Sequence, residues 1–370
     1  MTSFAFGTDF TVGIEEEILL VDPVTLRLAP VAAEVLAAMN VDPDAAGHEA
    51  YAAQLELRSR PASCVAEAVS EVSALRHAAV AAGATLLPTG LHPASRYGEA
   101  ELVPLERYER VAGQMRGLLR RTPESALHVH VGMPDEETAV RAFNAVRRRL
   151  PLLLGLSANS PWWFGADSGL ASARWALVRS YPGRGIPEAL AGIDEAHART
   201  AALLKAADVP EATFLWPDVR LHPTHGTIEV REMDSQSLLE SAAAIAALVR
   251  VLALDAREAR QVADEPSEVL AWSQFRAARD GIEASILDDG ALRPLREVAR
   301  ELVARLRPLA RDVGDEDVLE EIERLLERGG GAGRQRAAYA SGGIDGMLRA
   351  LVDDAMRALP SRLFPARPFG

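Results

Sequence analysis

Three consecutive acids, Glu15-Glu16-Glu17, interrupt an apolar run, with Thr11-Val12-Gly13-Ile14 before them and Ile18-Leu19-Leu20-Val21 after. The flanks predict a buried strand, and a strand does not bury carboxylates without a compensating partner. Side chains alternate along a strand, so Glu15 and Glu17 share one face while Glu16 points the other way with Ile14 and Ile18. Glu16 is therefore expected to be structural. Two carboxylates about 7 Å apart on one face repel unless a cation lies between or beside them. Hard oxygen donors of this kind favour Mg2+ or Mn2+. Taken alone, the segment fits an edge strand with its acids in water equally well.

Three other segments show the same alternation. Leu127-His128-Val129-His130-Val131-Gly132 sets both imidazoles on one face and its aliphatics on the other. Gly226-Thr227-Ile228-Glu229-Val230-Arg231 does the same with Glu229 and Arg231, and Gln54-Leu55-Glu56-Leu57-Arg58 places Glu56 between apolar neighbours. One half-buried sheet with a polar functional face accounts for all four.

A chain of 370 residues is long enough for one large domain or two ordinary ones. Its formal charge of −13 argues against general binding of nucleic acid or anionic membranes. The lone Cys64 excludes a disulfide framework and fits a reducing compartment. The N-terminus lacks a signal-peptide pattern, and no run of 18 apolar residues occurs. A soluble, cytoplasmic protein is expected. The single lysine, Lys205, leaves none for a Walker A loop or a protein-kinase site. Any phosphate chemistry must then rest on arginine and metal.

The pattern predicts strands at 11–21, 53–58, 84–89, 126–132, 218–222 and 226–232, the last two joined as a hairpin through Pro223-Thr224-His225. Helices are predicted at 31–39, 65–83, 104–120, 135–150, 171–180 and 187–207. From Asp234 or Ser235, both good N-caps, the pattern turns helical at 235–260, 267–280, 291–311, 315–328 and 334–358. This is α+β: a mostly antiparallel sheet (core 10–234) with a helical part (235–360) closing the site, read as one domain. Between Arg328 and Arg336 a glycine tract reads as a flexible loop whose N–H groups and arginines suit phosphate, or as a helix C-cap and mobile surface loop. His77, His92, His197, His222 and His225 are set aside, as are Trp162, Trp163 and Trp216, although Trp216 is weighed as a border of the nucleotide.

Gly13-Ile14-Glu15-Glu16-Glu17, His128-Val129-His130-Val131-Gly132, Ser157-Ala158-Asn159-Ser160-Pro161-Trp162-Trp163, Asp218-Val219-Arg220-Leu221-His222-Pro223, Thr227-Ile228-Glu229-Val230-Arg231 and Arg334-Gln335-Arg336 occur in this order. Together they resemble the bacterial carboxylate–amine ligase family, also called type 2 glutamate–cysteine ligase-like, of the glutamine synthetase superfamily. The resemblance implies a curved antiparallel sheet with helices on its outer face. It also implies an ATP-dependent ligase that forms an amide through an acyl phosphate, with two or three Mg2+ (or Mn2+) ions. By similarity, Glu15, His128 and Glu229 would bind the metal that holds the ATP phosphates. Glu17, Glu49 and Glu56 would bind the metal beside the carboxylate substrate, although the spacing from Glu49 to Glu56 is one residue shorter than in the superfamily. His130 would lie beside that substrate, and Arg231 would stabilise the transferring phosphoryl group. Arg220, Arg334 and Arg336 would contact phosphate or substrate carboxylate. The implied partners are a small carboxylic acid, with glutamate as γ-carboxylate donor, an amine such as cysteine, and a second copy in a homodimer. Three other readings stay open at the level of sequence: a phosphagen-type guanidino kinase, a metal-dependent hydrolase, and a non-catalytic nucleotide or metal sensor.

Overall fold

The computed structural model describes residues 4–257, 265–360 and 363. Its strands are β1 (Val12–Leu20), β2 (Ala46–His48), β3 (Gln54–Arg58), β4 (Leu86–Leu87), β5 (Ala126–Gly132), β6 (Trp162–Trp163), β7 (Ala166–Asp167), β8 (Val219–His222), β9 (Thr227–Asp234), β10 (Ser285–Asp288) and β11 (Ala291–Pro294). Its helices are α1 (Ala32–Ala38), α2 (Val65–Ala81), α3 (Glu106–Met115), α4 (Glu136–Ser157), α5 (Ala173–Val178), α6 (Ile193–Ala207), α7 (Leu239–Asp255), α8 (Ser267–Asp280), α9 (Leu295–Asp312), α10 (Glu316–Leu319), α11 (Glu321–Glu327) and α12 (Gly330–Ala355).

Seven strands form one sheet in the order β2-β3-β1-β5-β9-β8, with β4 paired to the end of β1. Every pairing in it is antiparallel. The apolar face carries Val12, Ile14, Leu127, Val129, Val131, Val219, Ile228 and Val230, buried against residues of α2, α4 and α7 in one continuous core. That core extends into α9, α10 and α11, so the C-terminal helices share the hydrophobic interior of the sheet. Ile18, Leu20, Leu55 and Leu57 continue the same face over α1 and the end of α2.

Glu16 sits on this apolar face, fully buried, as the alternation requires. Arg76 from α2 meets it with Nε at 2.8 Å and with Nη2, and spends its remaining donors on the carbonyls of Gln236, Ser237 and Ala355. The buried charge thereby ties β1, α2 and the end of α12 together.

Several boundaries differ from the sequence reading, for physical reasons. Pro151 does not end α4, which runs on to Ser157, because Leu150, Leu152, Leu153, Leu154 and Leu156 are all buried and offset the lost hydrogen bond. Asp234 and Ser235 do not cap α7. β9 continues through Asp234, and the helix starts at Leu239. The Asp234 carboxylate instead accepts hydrogen bonds from Asn159 N (2.8 Å), Ser160 Oγ (2.7 Å) and Ser172 Oγ (3.0 Å). The last residues of the helix expected at 235–260 fall outside the described residues. The glycine tract is not a loop: α12 begins at Gly330 and runs on through the tract.

Candidate functional site: an acid, imidazole and guanidinium face across four strands

The register aligns the polar residues across the sheet. Glu17 pairs with Glu56 and Glu15 with Arg58 on one side of β1, while Glu15 pairs with His128 on the other. His130 pairs with Glu229, and Glu229 with Arg220. Strands stand about 4.8 Å apart, so this register alone brings the groups into mutual reach. β9 also bulges: Leu127 faces Met233 but Val129 faces Val230, leaving one extra residue in β9. Val230 and Met233 both remain in the core, while Arg231 between them reaches the polar face and pairs with Glu229.

At the centre, one ligand atom each from Glu15, His128 and Glu229 lies within 4.8 Å of the others, a group suited to a metal ion. His128 Nδ1 is 3.2 Å from Glu15 and its Nε2 is 3.6 Å from Glu17. His130 Nδ1 lies 3.0 Å from Thr227 Oγ1. Its Nε2 stands 3.4 Å from Glu15 and 3.9 Å from Glu229, buried and without a hydrogen bond. Carboxylate oxygens with one imidazole suit a hard divalent cation, and the donor set fits that group.

Electrostatics divide the acids into two sets. Burial would raise the Glu229 carboxyl, but Arg220, with Nε at 2.5 Å, and Arg231 hold it well below its usual range. Burial likewise opposes ionisation of Glu15, and the neighbouring His130 and His128 outweigh it. Glu56 and Glu49 go the other way. Burial and the Glu15 carboxylate push Glu56 up to about 7, and burial with Glu17 and Glu56 pushes Glu49 well above its usual value. Glu49, from the β2–β3 loop, accepts a hydrogen bond from its neighbour Ala50 N at 3.0 Å, and Glu56 pairs with Arg58. A cation is the group that would relieve this crowding of Glu17, Glu49 and Glu56.

Two cavities open onto this face. A cavity of about 430 Å3 is lined by Glu17, Glu49, Glu56, Arg58, Arg220 and Arg231, with Tyr51, Tyr108, Glu124, Arg174, Tyr181 and Arg184 completing its wall. A larger cleft of about 1000 Å3 is lined by Glu15, His130, His225, Thr227 and Arg58, among others. Arg58 borders both. The sequence reading did not single out Glu124, Arg174 or Arg184, which lie outside the alternating strands. Arg58 was legible, since it shares the face of Glu56. His225, set aside as a turn residue, lines the cleft and stacks on His222 at 4.2 Å. Trp216 lines the smaller cavity.

Arg334 and Arg336 lie elsewhere. Arg334 pairs with Asp354, and Arg336 contacts Asp167 through two bonds of 2.8 Å, so neither lines the two cavities. Gln335, between them, is buried and donates to the carbonyl (2.8 Å) and side-chain oxygen (2.9 Å) of Asn159. Cys64 lines neither cavity.

The site thus lies on a mostly antiparallel sheet, helical on one face and carrying acids, imidazoles and guanidiniums on the other. Residues 11–354 match the model of glutamate–cysteine ligase family 2, and the chain belongs to that family. A Rubrobacter xylanophilus protein provisionally named glutamate–cysteine ligase 2-3 is 38% identical over 362 residues, covering 95% of this chain and 98% of the relative. A second from the same organism, provisionally named glutamate–cysteine ligase 2-1, is 34% identical and covers 91% and 92%. Among solved structures, Francisella tularensis glutamate–cysteine ligase in complex with AMP superposes with a TM-score of 0.68 at 14% identity, covering 97% of this chain and 92% of that one. A bifunctional glutathione synthetase from Pasteurella multocida gives 0.63 at 13% identity, covering 96% of this chain and 53% of that one. The fold is thus the one expected from the sequence.

Proposed function

We propose that this protein is an ATP-dependent carboxylate–amine ligase. The observation that carries the reading is the convergence of Glu15, His128 and Glu229 beside the cavity that holds Glu17, Glu49 and Glu56. Membership of the family supports it.

Glu15, His128 and Glu229 would hold one Mg2+ or Mn2+ ion, and Glu17, Glu49 and Glu56 a second. Divalent ions there would neutralise phosphate charge and align donor and acceptor. An oxygen of the acid substrate attacks the γ-phosphorus of ATP, and ADP leaves. The amine nitrogen then attacks the acyl carbon, phosphate leaves, and the nitrogen loses a proton to complete the amide. Arg231 and Arg220, which both pair with Glu229, would stabilise charge on the phosphoryl group. His130 serves as a polar contact for the acid. Arg334 and Arg336 are proposed to act on substrate only after leaving Asp354 and Asp167. The acid in this reading is glutamate, activated at its γ-carboxylate, and the amine is one such as cysteine. Residues 10–234 and 235–360 act as one cytoplasmic catalytic unit, assembled as a homodimer.

The test is release of ADP and phosphate from Mg-ATP with glutamate and a pool of amines, followed by mass spectrometry. Amine-dependent ADP formation with a new amide mass is expected. Hydrolysis of a substrate without ATP consumption would replace the ligase by a metal-dependent hydrolase.

A further inference from the structure

Trp272 is 70% exposed, more than any other aromatic side chain among the described residues. It stands on α8 with Val269 and Phe275, which are exposed as well, while Leu270, Gln274 and Ala277 turn the opposite side of the helix into the protein. Gln274 fixes α8 in place by donating to Asp218 and to Glu232, each at 2.6 Å. The rings form a continuous patch. Trp272 meets Phe275 edge-on with 6.5 Å between centroids, and Phe275 meets the half-buried Trp175 of α5 at 6.0 Å. Arg279 lies over Phe275 and Arg179 over Trp175, each 5.8 Å from the ring centre. Aromatic rings framed by arginine are what contacts between proteins are enriched in, and a tryptophan facing water forgoes its burial free energy.

The charges on this face show what fits it. Each helical residue turns by about 100°, so Glu268, Val269, Phe275, Arg276 and Arg279 all lie within about 60° of Trp272 around the axis. Glu268 comes four residues before Trp272 and Arg276 four residues after it. Neither has an ion-pair partner among the described residues. A two-fold axis passing beside Trp272 would lay a second copy of α8 antiparallel on the first. Residues equally far from Trp272 on either side then come level, about 6 Å along the axis for these two, so Glu268 of each copy meets Arg276 of the other. Val269 likewise comes level with Phe275, and the tryptophans meet at the centre. A parallel pairing would instead set Glu268 against Glu268 and Arg276 against Arg276, which repel. The face is complementary to itself in one direction only.

We propose that the exposed face of α8, centred on Trp272, is the two-fold interface at which two copies of this chain pair antiparallel. The proposal deepens the homodimer of the preceding reading and rests on it, not on the ligase chemistry. Dimer dissociation is measured by sedimentation equilibrium on the full chain and on Trp272→Ala, Glu268→Arg, Arg276→Glu and the double variant Glu268→Arg/Arg276→Glu. The unaltered protein is expected to be a dimer. Each single variant should dissociate about 10-fold more readily, since two-fold symmetry counts every lost or repelling contact twice. The double variant restores opposite charges at both contacts and should return to within about 3-fold of the unaltered protein.

Recovery in the double variant also separates pairing from folding damage, because damage from two surface substitutions would add. Dissociation unaltered in both single charge variants overturns the interface, as does a double variant no better than the single ones. A dimer indifferent to all four changes would place the contact on another face. A monomer at every concentration would leave the patch to a partner of another kind and remove the homodimer as well. ADP formation by the same samples reads the ligase separately, and its presence in a monomer would keep the chemistry while discarding the interface.

Discussion

Adjacent glutamates in β1 have opposite roles because the strand turns each one to a different face. Glu16 enters the core and meets the guanidinium of Arg76, whose other donors are taken by backbone carbonyls. Replacing Glu16 by Gln removes the charge but not the buried arginine. Breaking such a pair costs about 3 kcal/mol. Glu16→Gln is therefore expected to unfold at distinctly lower urea concentration, while the folded fraction turns over ATP normally when assayed in the cold. Glu17→Gln should do the reverse, with an unfolding midpoint close to that of the unaltered protein and ATP turnover lost. Urea titrations alongside assays at low temperature check both arms, and equal loss of activity in the two folded variants would refute the division of faces.

At the scale of elements, α12 shows how a tertiary contact overrides local propensity. Glycines disfavour helix, and the Arg328–Arg336 stretch reads as a loop on composition alone. In the fold, a side chain at Gly331 would put its Cβ 2.4 Å from Asn159 Oδ1, whereas Gly333 has nothing within 4 Å. Gly331 is thus required by close approach to the Asn159 clamp. Gly331→Ala should lower the melting temperature, at a cost of about 1–3 kcal/mol for overpacking. Gly333→Ala, in an open helical position, should leave it unchanged or raise it, by up to about 1 kcal/mol. Thermal denaturation of the pair decides, and equal destabilisation would sink the packing argument. The contrast also shows what the sequence made legible. Strict alternation put Glu15, Glu17, Glu56, His128, His130, Glu229 and Arg231 on one face because strand period depends only on local geometry. The helical tract, the length of α4 past Pro151, and Arg184 depend on residues far away in the chain, and no local period reports those. β2, β6 and β7, of two or three residues, are too short to show any period, and Ala291–Pro294, read as the start of a helix, pairs instead as β11 with β10.

For the whole molecule, the sheet's apolar face and the C-terminal helices share one core, so the polar face is held by most of the chain. Ligand binding to that face should then stabilise the fold globally rather than order one loop. A divalent ion at 100 times its dissociation constant adds about 2.7 kcal/mol to a protein that binds it only when folded. The net charge of −13 complicates the measurement, because any salt relieves self-repulsion. Melting in MgCl2 or MnCl2 must therefore be compared with NaCl at matched ionic strength. The divalent salt is expected to give an extra upward shift in the unaltered protein. That shift should shrink in Glu15→Gln, which removes a ligand of one of the two proposed ions, and persist in full in Glu16→Gln, which is weakened but keeps the polar face. An extra shift of the same size in Glu15→Gln would place the ion elsewhere and remove the central cation from the proposed reaction. Its absence from the unaltered protein would mean that the acids of this face tolerate one another without a metal, and that ATP must bring its own ion with it.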